Sequence, residues 1–407
     1  MITIVGGFYN ERCLHPDFRE KFGSGLRGCH TIRNLDSEVE IGFHTYAPDD
    51  ELLNLKIAGS TLNMATYPFK SEQIISFYYD HPMRTPIITP RPDLIVPAET
   101  DIVFESDLIL YYGMLEGKAR VKGKRVVYDP QSPVKPIAFR ATGSTADELA
   151  VVVNHKEASI LAGSWDEATI RNYFFNEEKV AVLVLKMGPK GAKVFNQAGE
   201  EHLIPVHKTA SVWKIGTGDV FDAIFSYYWM AAGLKPEEAA FKASFMTAIY
   251  SNTRNYGFTA SKHHEYIQPL NISNYPTGKV YLAGPFFTYG QKWVINEIYR
   301  GLQGLGLAVF SPWHHVGEGT VEMGVAEKDI IGLKECKIVF AVVDGLDSGT
   351  LFEIGYAVRM EIPVIVYVEN ETPAALTMLS GTFCVIEKDM TTALYKCLWM
   401  LAEKENE

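Results

Sequence analysis

Short apolar runs closed by glycine, proline or aspartate recur along the chain and read as strands. Ile2–Val5 ends in a glycine pair. Leu108–Tyr112, Arg125–Tyr128 (running into Asp129-Pro130), Glu148–Val153 and Val180–Leu185 follow. Lys279–Ala283 and Ile338–Val343 repeat the pattern later. Helical patterns lie between them, the strongest after Gly218, where Val220, Phe221, Ile224, Phe225 and Tyr228 share a face. This alternation predicts an α/β protein. Glu38 to Ser71 lacks clear periodicity and is expected to form a sheet edge or lid, and proline-rich Pro82 to Pro97 a surface loop. Two prolines, a glycine and small polar residues between Gln268 and Gly278 mark a boundary. The expected division is a domain over 1–269, a linker over 270–277 and a second domain over 278–407.

Composition narrows the partners. The 407 residues are 47% hydrophobic, enough for sizeable cores, and carry a formal net charge of −11. Such a balance argues against a nucleic-acid backbone, which selects a basic footprint. It remains compatible with a small anion held by backbone amides. The five cysteines form no C-x-x-C pair and leave one over, the pattern of buried thiols in a reducing cytosol. No basic, apolar leader opens the sequence. The most apolar helical stretch, Val220 to Leu234, is interrupted by Asp222 and too short to span a bilayer. A cytoplasmic protein with no membrane partner is expected. The pairs His263-His264 and His314-His315 lack ligands at metal-site spacing, although the second pair is expected beside the C-terminal pocket.

The strand at Ile338–Val343 leads into Asp344, Asp347 and Glu353, three acids placed where α/β sheets bind ligands. A carboxylate nucleophile with a neighbouring proton donor is the equipment for glycosidic-bond cleavage. The plainer reading is a capping box, Thr350-x-x-Glu353, with Glu353 in the first helical turn. The strand Lys279-Val-Tyr-Leu-Ala-Gly-Pro-Phe-Phe287 shifts the balance. Together with D-x-G-T-x-x-E-I-G-Y-A it resembles the nucleoside 2-deoxyribosyltransferase family, from about Gly278 onward. The resemblance implies a flavodoxin-like or Rossmann-type parallel sheet, no cofactor, and a homo-oligomer. It implies Glu353 as the nucleophile at C1′, Tyr281 holding it, Asp344 protonating the departing base and Asp347 on a sugar hydroxyl, with Gly284 and Phe286 lining the substrate site. Asp347 would repel a phosphate, so a free nucleoside is the expected substrate.

A second constellation precedes the Val220 helix. Gly216-Thr217-Gly218-Asp219 offers amides to an anion at a helix N-terminus and a carboxylate to take a hydroxyl proton. A helix-capping Asp is the plainer reading. The segment resembles the second signature of the ribokinase (PfkB) sugar and nucleoside kinase family, over about Met1 to Pro269. Asn154-x-x-Glu157 resembles its magnesium-phosphate element, itself a possible capping box, and Gly188 and Gly191 its turn near the nucleotide. The resemblance implies a ribokinase-like α/β sandwich using ATP and Mg2+, with Asp219 as base, Gly216, Thr217 and Gly218 as anion hole, and Asn154 and Glu157 reaching the metal through water. Asn10 and Gly23 would contact the sugar. Arg27 stands where the family has Asn, suiting an anionic acceptor if it is not simply ion-paired, and Trp213 is a further departure. The expected whole is a bifunctional enzyme acting on nucleosides, nucleobases or pentoses. The alternatives are a kinase-like nucleotide sensor gating the C-terminal site, and a hydrolase of nucleotides or dinucleotides.

Overall fold

The computed structural model describes residues 1–132, 135–258, 267–270, 272, 275–317 and 324–406. His263 and His264 lie outside the described residues. The chain divides into two units, Met1–Thr209 with Trp213–Asn271, and Ala210–Val212 with Ile272–Glu407.

The first unit is built on a nine-stranded sheet. Its spatial order is Glu201–Ile204, Ala192–Asn196, Val182–Lys186, Thr145–Asn154, Ala119–Asp129, Ile102–Tyr112, Ile2–Val5, Ile41–Ala47, Ala65–Lys70. Ala192–Asn196 pairs antiparallel with both of its neighbours, and every other pair of neighbours in the sheet is parallel. Continuous apolar runs such as Ala150–Val153 are buried throughout, because helices cover both faces of a parallel sheet. One face packs beneath the helices Gly23–Leu35, Thr217–Ser226 and Pro236–Thr253. The other packs beneath His155–Ala162 and Glu167–Asn172.

A separate four-stranded sheet runs Phe18–Lys21, Asn10–Cys13, Ser76–Tyr79, Ile87–Thr89. It corrects two expectations. Pro82 to Pro97 contains a paired strand, Ile87–Thr89, whose Ile88 packs with Tyr9 and Ile75. Glu38 to Ser71 does supply the large sheet's edge, at Ala65–Lys70, but also an inner strand, Ile41–Ala47, six of whose seven residues are buried. Its polar residues Thr45 and His44 hide this: Thr45 donates to the Gly6 carbonyl, and His44 stacks between Tyr67 and Phe104.

The second unit has a five-stranded, wholly parallel sheet in the order Ala308–Phe310, Lys279–Ala283, Ile338–Val342, Val364–Tyr367, Val385–Glu387. Strand order therefore reverses between the first strand in sequence and its two neighbours, the flavodoxin-like switch point where ligands bind. The helix Tyr289–Gly304 starts on a capping box, Thr288 with Gln291, and fixes the exit from the first strand. Among the described residues no helix is long and apolar enough to cross a membrane. All five cysteines are free, four of them buried.

Candidate functional site

The switch point of the second unit gathers the C-terminal motif. Tyr281, fully buried, stacks on Phe310 at 5.6 Å, and Phe310 stacks on His315 at 5.3 Å. This aromatic column fixes the phenol, whose hydroxyl donates to Glu353 Oε1 at 2.6 Å. The helix carrying Glu353 spans Ser348–Arg359, and its N-cap is Asp347, not Thr350. Asp347 Oδ2 accepts from the Thr350 amide at 2.8 Å and its hydroxyl at 2.9 Å. The capping-box reading of Glu353 therefore fails, and so does its placement in the first turn. One turn deeper, burial pushes its carboxyl up to about 7, with Asp329 and Asp347 adding to the rise and the Tyr281 bond opposing it.

Asp344 is engaged elsewhere than expected. Its two oxygens accept the backbone N–H groups of Glu369 (2.8 Å) and Asn370 (2.7 Å), so both are committed to stapling a loop and neither is turned to a leaving base. The residue missed in the sequence is Asp329, on the helix Val325–Lys334. Its Oδ1 is buried without a hydrogen-bond partner, and burial raises its carboxyl. An acid inside the apolar sequence Asp329-Ile-Ile-Gly-Leu333 was the available signal. Gly284 lies against Ile295 and Val342; a Cβ there would come within 2.6 Å of Ile295 Cδ1. Phe286 stacks with Phe287 and Trp313 at 5.5 and 5.4 Å. His314 binds Ser311 and Asn296 and stacks on Tyr299 at 3.9 Å, a packed position.

In the first unit the helix Thr217–Ser226 is capped by Gly216 (φ +77°), with no side-chain cap. Asp219 is thus not an N-cap, and the N-terminal amides are not claimed by a capping side chain. Thr217 bonds the Lys214 carbonyl through its hydroxyl at 2.9 Å. Beside Gly218 lies Lys186 Nζ, 3.7 Å from where a Cβ would be, bonded to Asp129 (2.9 Å) and Asp222 (3.0 Å). Gly191 (φ +87°) passes so close to the next strand that a Cβ would sit 2.0 Å from the Ile204 carbonyl; Gly188 (φ +58°) opens the same turn. Asn154 and Glu157 form a complete capping box. Burial raises Glu157 to about 7, helped by Asp129. Among the described residues no group of three or more His, Cys, Asp or Glu is arranged to hold a metal ion. A water-mediated role for Glu157 still fits its second carboxylate oxygen and the surplus of acids around Lys186.

Two sugar-site expectations change. Asn10 turns its side chain to Ser76 (3.3 Å) within the small sheet, while neighbouring Glu11 is the buried acid. Glu11 accepts from the Gly23 amide at 3.2 Å and pairs with both terminal nitrogens of Arg27. Arg27, 1% exposed, also bonds Asp219 Oδ2 at 2.9 Å. The guanidinium is thereby committed to internal carboxylates, not offered to an anionic acceptor. Burial raises Asp219 to about 6 against the pull of Arg27. Trp213 is buried beneath Arg254 at 4.2 Å, which makes it a core residue.

No curated protein matches the chain. Solved structures similar to the chain include ribokinase from Thermotoga maritima, with 18% identity, 63% of this chain and 94% of that one covered, and a TM-score of 0.46. A fructokinase from Vibrio cholerae O395 bound to fructose, ADP and calcium gives 13%, 66%, 99% and 0.48. The two units match separate families: residues 119–255 match the model of the pfkB family carbohydrate kinases, and residues 280–394 that of nucleoside 2-deoxyribosyltransferase.

Proposed function

We propose that this is a two-site enzyme of nucleoside metabolism whose C-terminal unit breaks and remakes the N-glycosidic bond of 2′-deoxynucleosides. The observation that carries this reading is the 2.6 Å bond from Tyr281 to Glu353 Oε1. It leaves the other carboxylate oxygen to attack C1′. The C1′–O bond forms as the C1′–N bond breaks, and the electron pair passes to the base nitrogen, which takes a proton from Asp329. A second base, or water, then attacks C1′ of the sugar ester and gives its proton back to Asp329, while the C1′–O bond breaks and Glu353 leaves as the carboxylate. Asp347, with one oxygen on its cap, offers the other to a sugar hydroxyl. Its charge disfavours a 5′-phosphate, which weighs against the nucleotide-hydrolase alternative.

The N-terminal unit phosphorylates a nucleoside or pentose from ATP. Asp219 takes the hydroxyl proton, the acceptor oxygen bonds to the γ-phosphorus as the bond to the β-phosphate oxygen breaks and ADP leaves, and the amides at Gly216–Gly218 hold the moving phosphoryl group. Bound magnesium would neutralise phosphate charge, with Asn154 and Glu157 reaching it through water. The second reading, a nucleotide sensor gating the C-terminal site, is favoured by the ion pair that holds Asp219. The test incubates the full chain with deoxynucleosides, free bases and pentoses, with and without ATP-Mg, and separates bases, sugars and phosphorylated products. Base exchange without ATP and a phosphorylated product with it are expected. Absence of both base release and exchange across the panel sinks the C-terminal reading. An ATP effect on exchange without any phosphorylated product selects the sensor.

A further inference from the structure

The Glu11–Arg27–Asp219 network joins three elements of the first unit: the strand Asn10–Cys13 of the small sheet and the helices Gly23–Leu35 and Thr217–Ser226. Its geometry divides the two oxygens of Asp219. Oδ2 is bound to Arg27 at 2.9 Å, whereas Oδ1, among the described residues, meets the Gln131 amide at a long 3.5 Å. The backbone carbonyl of Asp219 accepts from the Tyr112 hydroxyl at 2.7 Å, which sets the start of the helix. The Arg27 side chain lies flat against Gly216, where a Cβ would come within 2.1 Å of Nε. Phe22 covers the guanidinium from 5.0 Å. Arg27 is therefore clamped by glycine below, an aromatic ring beside it and Glu11 behind.

We propose that Arg27 is the positioning residue of this site: it fixes Asp219 through Oδ2, keeps the carboxylate ionised although buried, and leaves Oδ1 as the oxygen offered to an acceptor hydroxyl. The catalytic half of this inference rests on the kinase reading; the electrostatic half rests on the ion network alone. Arg27 stands alone against Glu11 from the small sheet and Asp129 from the central strand. Tyr79, Tyr112, Tyr250 and Tyr256 face Asp219 as neutral phenols. Lys186, beside Gly218, is paired with Asp129 and Asp222. Removing Arg27 therefore leaves like charges around Asp219 and drives it toward the protonated acid, which can no longer accept a proton.

The test follows Asp219 directly in the full chain carrying 13C-carboxyl aspartate, its signal identified by loss in Asp219→Asn. Arg27→Met moves the titration midpoint of Asp219 upward by about one pH unit or more. Arg27→Lys, which keeps the charge, stays near wild type. Because Arg27→Met strands Glu11 in a buried setting, Arg27→Met/Glu11→Gln serves as the fold-safe variant and moves the midpoint in the same direction. A folded variant with an unchanged midpoint overturns the proposal. In parallel, the acid limb of kcat for ATP-dependent phosphorylation shifts upward with the midpoint, while KM for ATP holds. A midpoint that shifts in Arg27→Met, beside a wild type that phosphorylates nothing, defeats the kinase reading and leaves the electrostatic role standing. An active wild type whose pH profile ignores Arg27→Met defeats Arg27 as a positioning residue and leaves the kinase reading standing.

Discussion

At the scale of single residues, the two candidate acids Glu353 and Asp219 were visible in the sequence because each follows a strand in a loop-to-helix motif. Their electrostatics were not. Glu353 is held near 7 by burial, which places a nucleophile on the edge of ionisation at neutral pH. Base release should therefore rise with pH through about 7, checked by a kcat/KM profile of the C-terminal reaction. Glu353→Gln should remove at least about three orders of magnitude of that rate, the cost of losing a covalent nucleophile. The same substitution should stabilise the fold at alkaline pH. An ordinary glutamate loses its proton near 4.5 and the folded Glu353 near 7, so the folded state binds more protons in that window. Stability thus falls as pH rises through it, and Gln escapes the penalty. A Glu353→Gln melting temperature that exceeds wild type more at alkaline than at acid pH is the expected outcome. Tyr281→Phe removes the bond that lowers Glu353, so the acid limb should move to higher pH while kcat drops about 10- to 100-fold. An unmoved profile would separate Tyr281 from the nucleophile.

At the scale of elements, the strands were legible, and so was the capping box of Asn154 and Glu157, but the helix start before Glu353 was not. Ile338–Val342 and Ala150–Val153 announce themselves as unbroken apolar runs because both sheet faces are covered. Ile41–Ala47 hid its burial behind Thr45 and His44, whose polar atoms or rings are absorbed by partners distant in sequence. The helix start before Glu353 failed for a related reason: Thr350-x-x-Glu353 and Asp347-x-x-Thr350 are both locally plausible caps, and only tertiary placement of the preceding turn chooses between them. That turn holds Leu346 at φ +48°, a conformation local propensity disfavours. Asp329 stayed hidden because its significance lies in proximity to Glu353 across two helices. The chosen cap gives a prediction. Asn and Asp are nearly equal N-caps, so Asp347→Asn should change stability by no more than about 0.5 kcal/mol. A rise in KM for deoxynucleosides with stability intact would assign Asp347 to the sugar, whereas unchanged kinetics would leave it a cap. Gly216→Ala tests the other helix start. Its left-handed backbone and the Arg27 side chain 2.1 Å from the new Cβ should together cost ATP-dependent product formation, measured beside thermal stability.

At the scale of the whole chain, Glu353 and Asp219, the acids of the two proposed sites, fall in different units. Their family matches fall inside separate units, at 280–394 and 119–255. Fusion alone does not say whether the first unit makes a product or only reads nucleotide level, since both roles need the same amide-lined helix start. Asp219→Asn distinguishes them. Asparagine keeps the volume and can still accept from Arg27 through its carbonyl oxygen, but it cannot take a hydroxyl proton. Under the catalytic reading the phosphorylated product disappears, ATP still binds, and base exchange continues at the wild-type rate because Glu353 and Tyr281 are untouched. Under the sensor reading there is no phosphorylated product to lose, and the effect of ATP on base exchange persists in the variant. Both quantities come from one chromatogram of nucleosides, bases and phosphorylated sugars, run with and without ATP-Mg. We expect the first pattern, because Gly216, Gly218 and Asp219 keep the helix start open toward an anion while Oδ1 of the carboxylate stays nearly free.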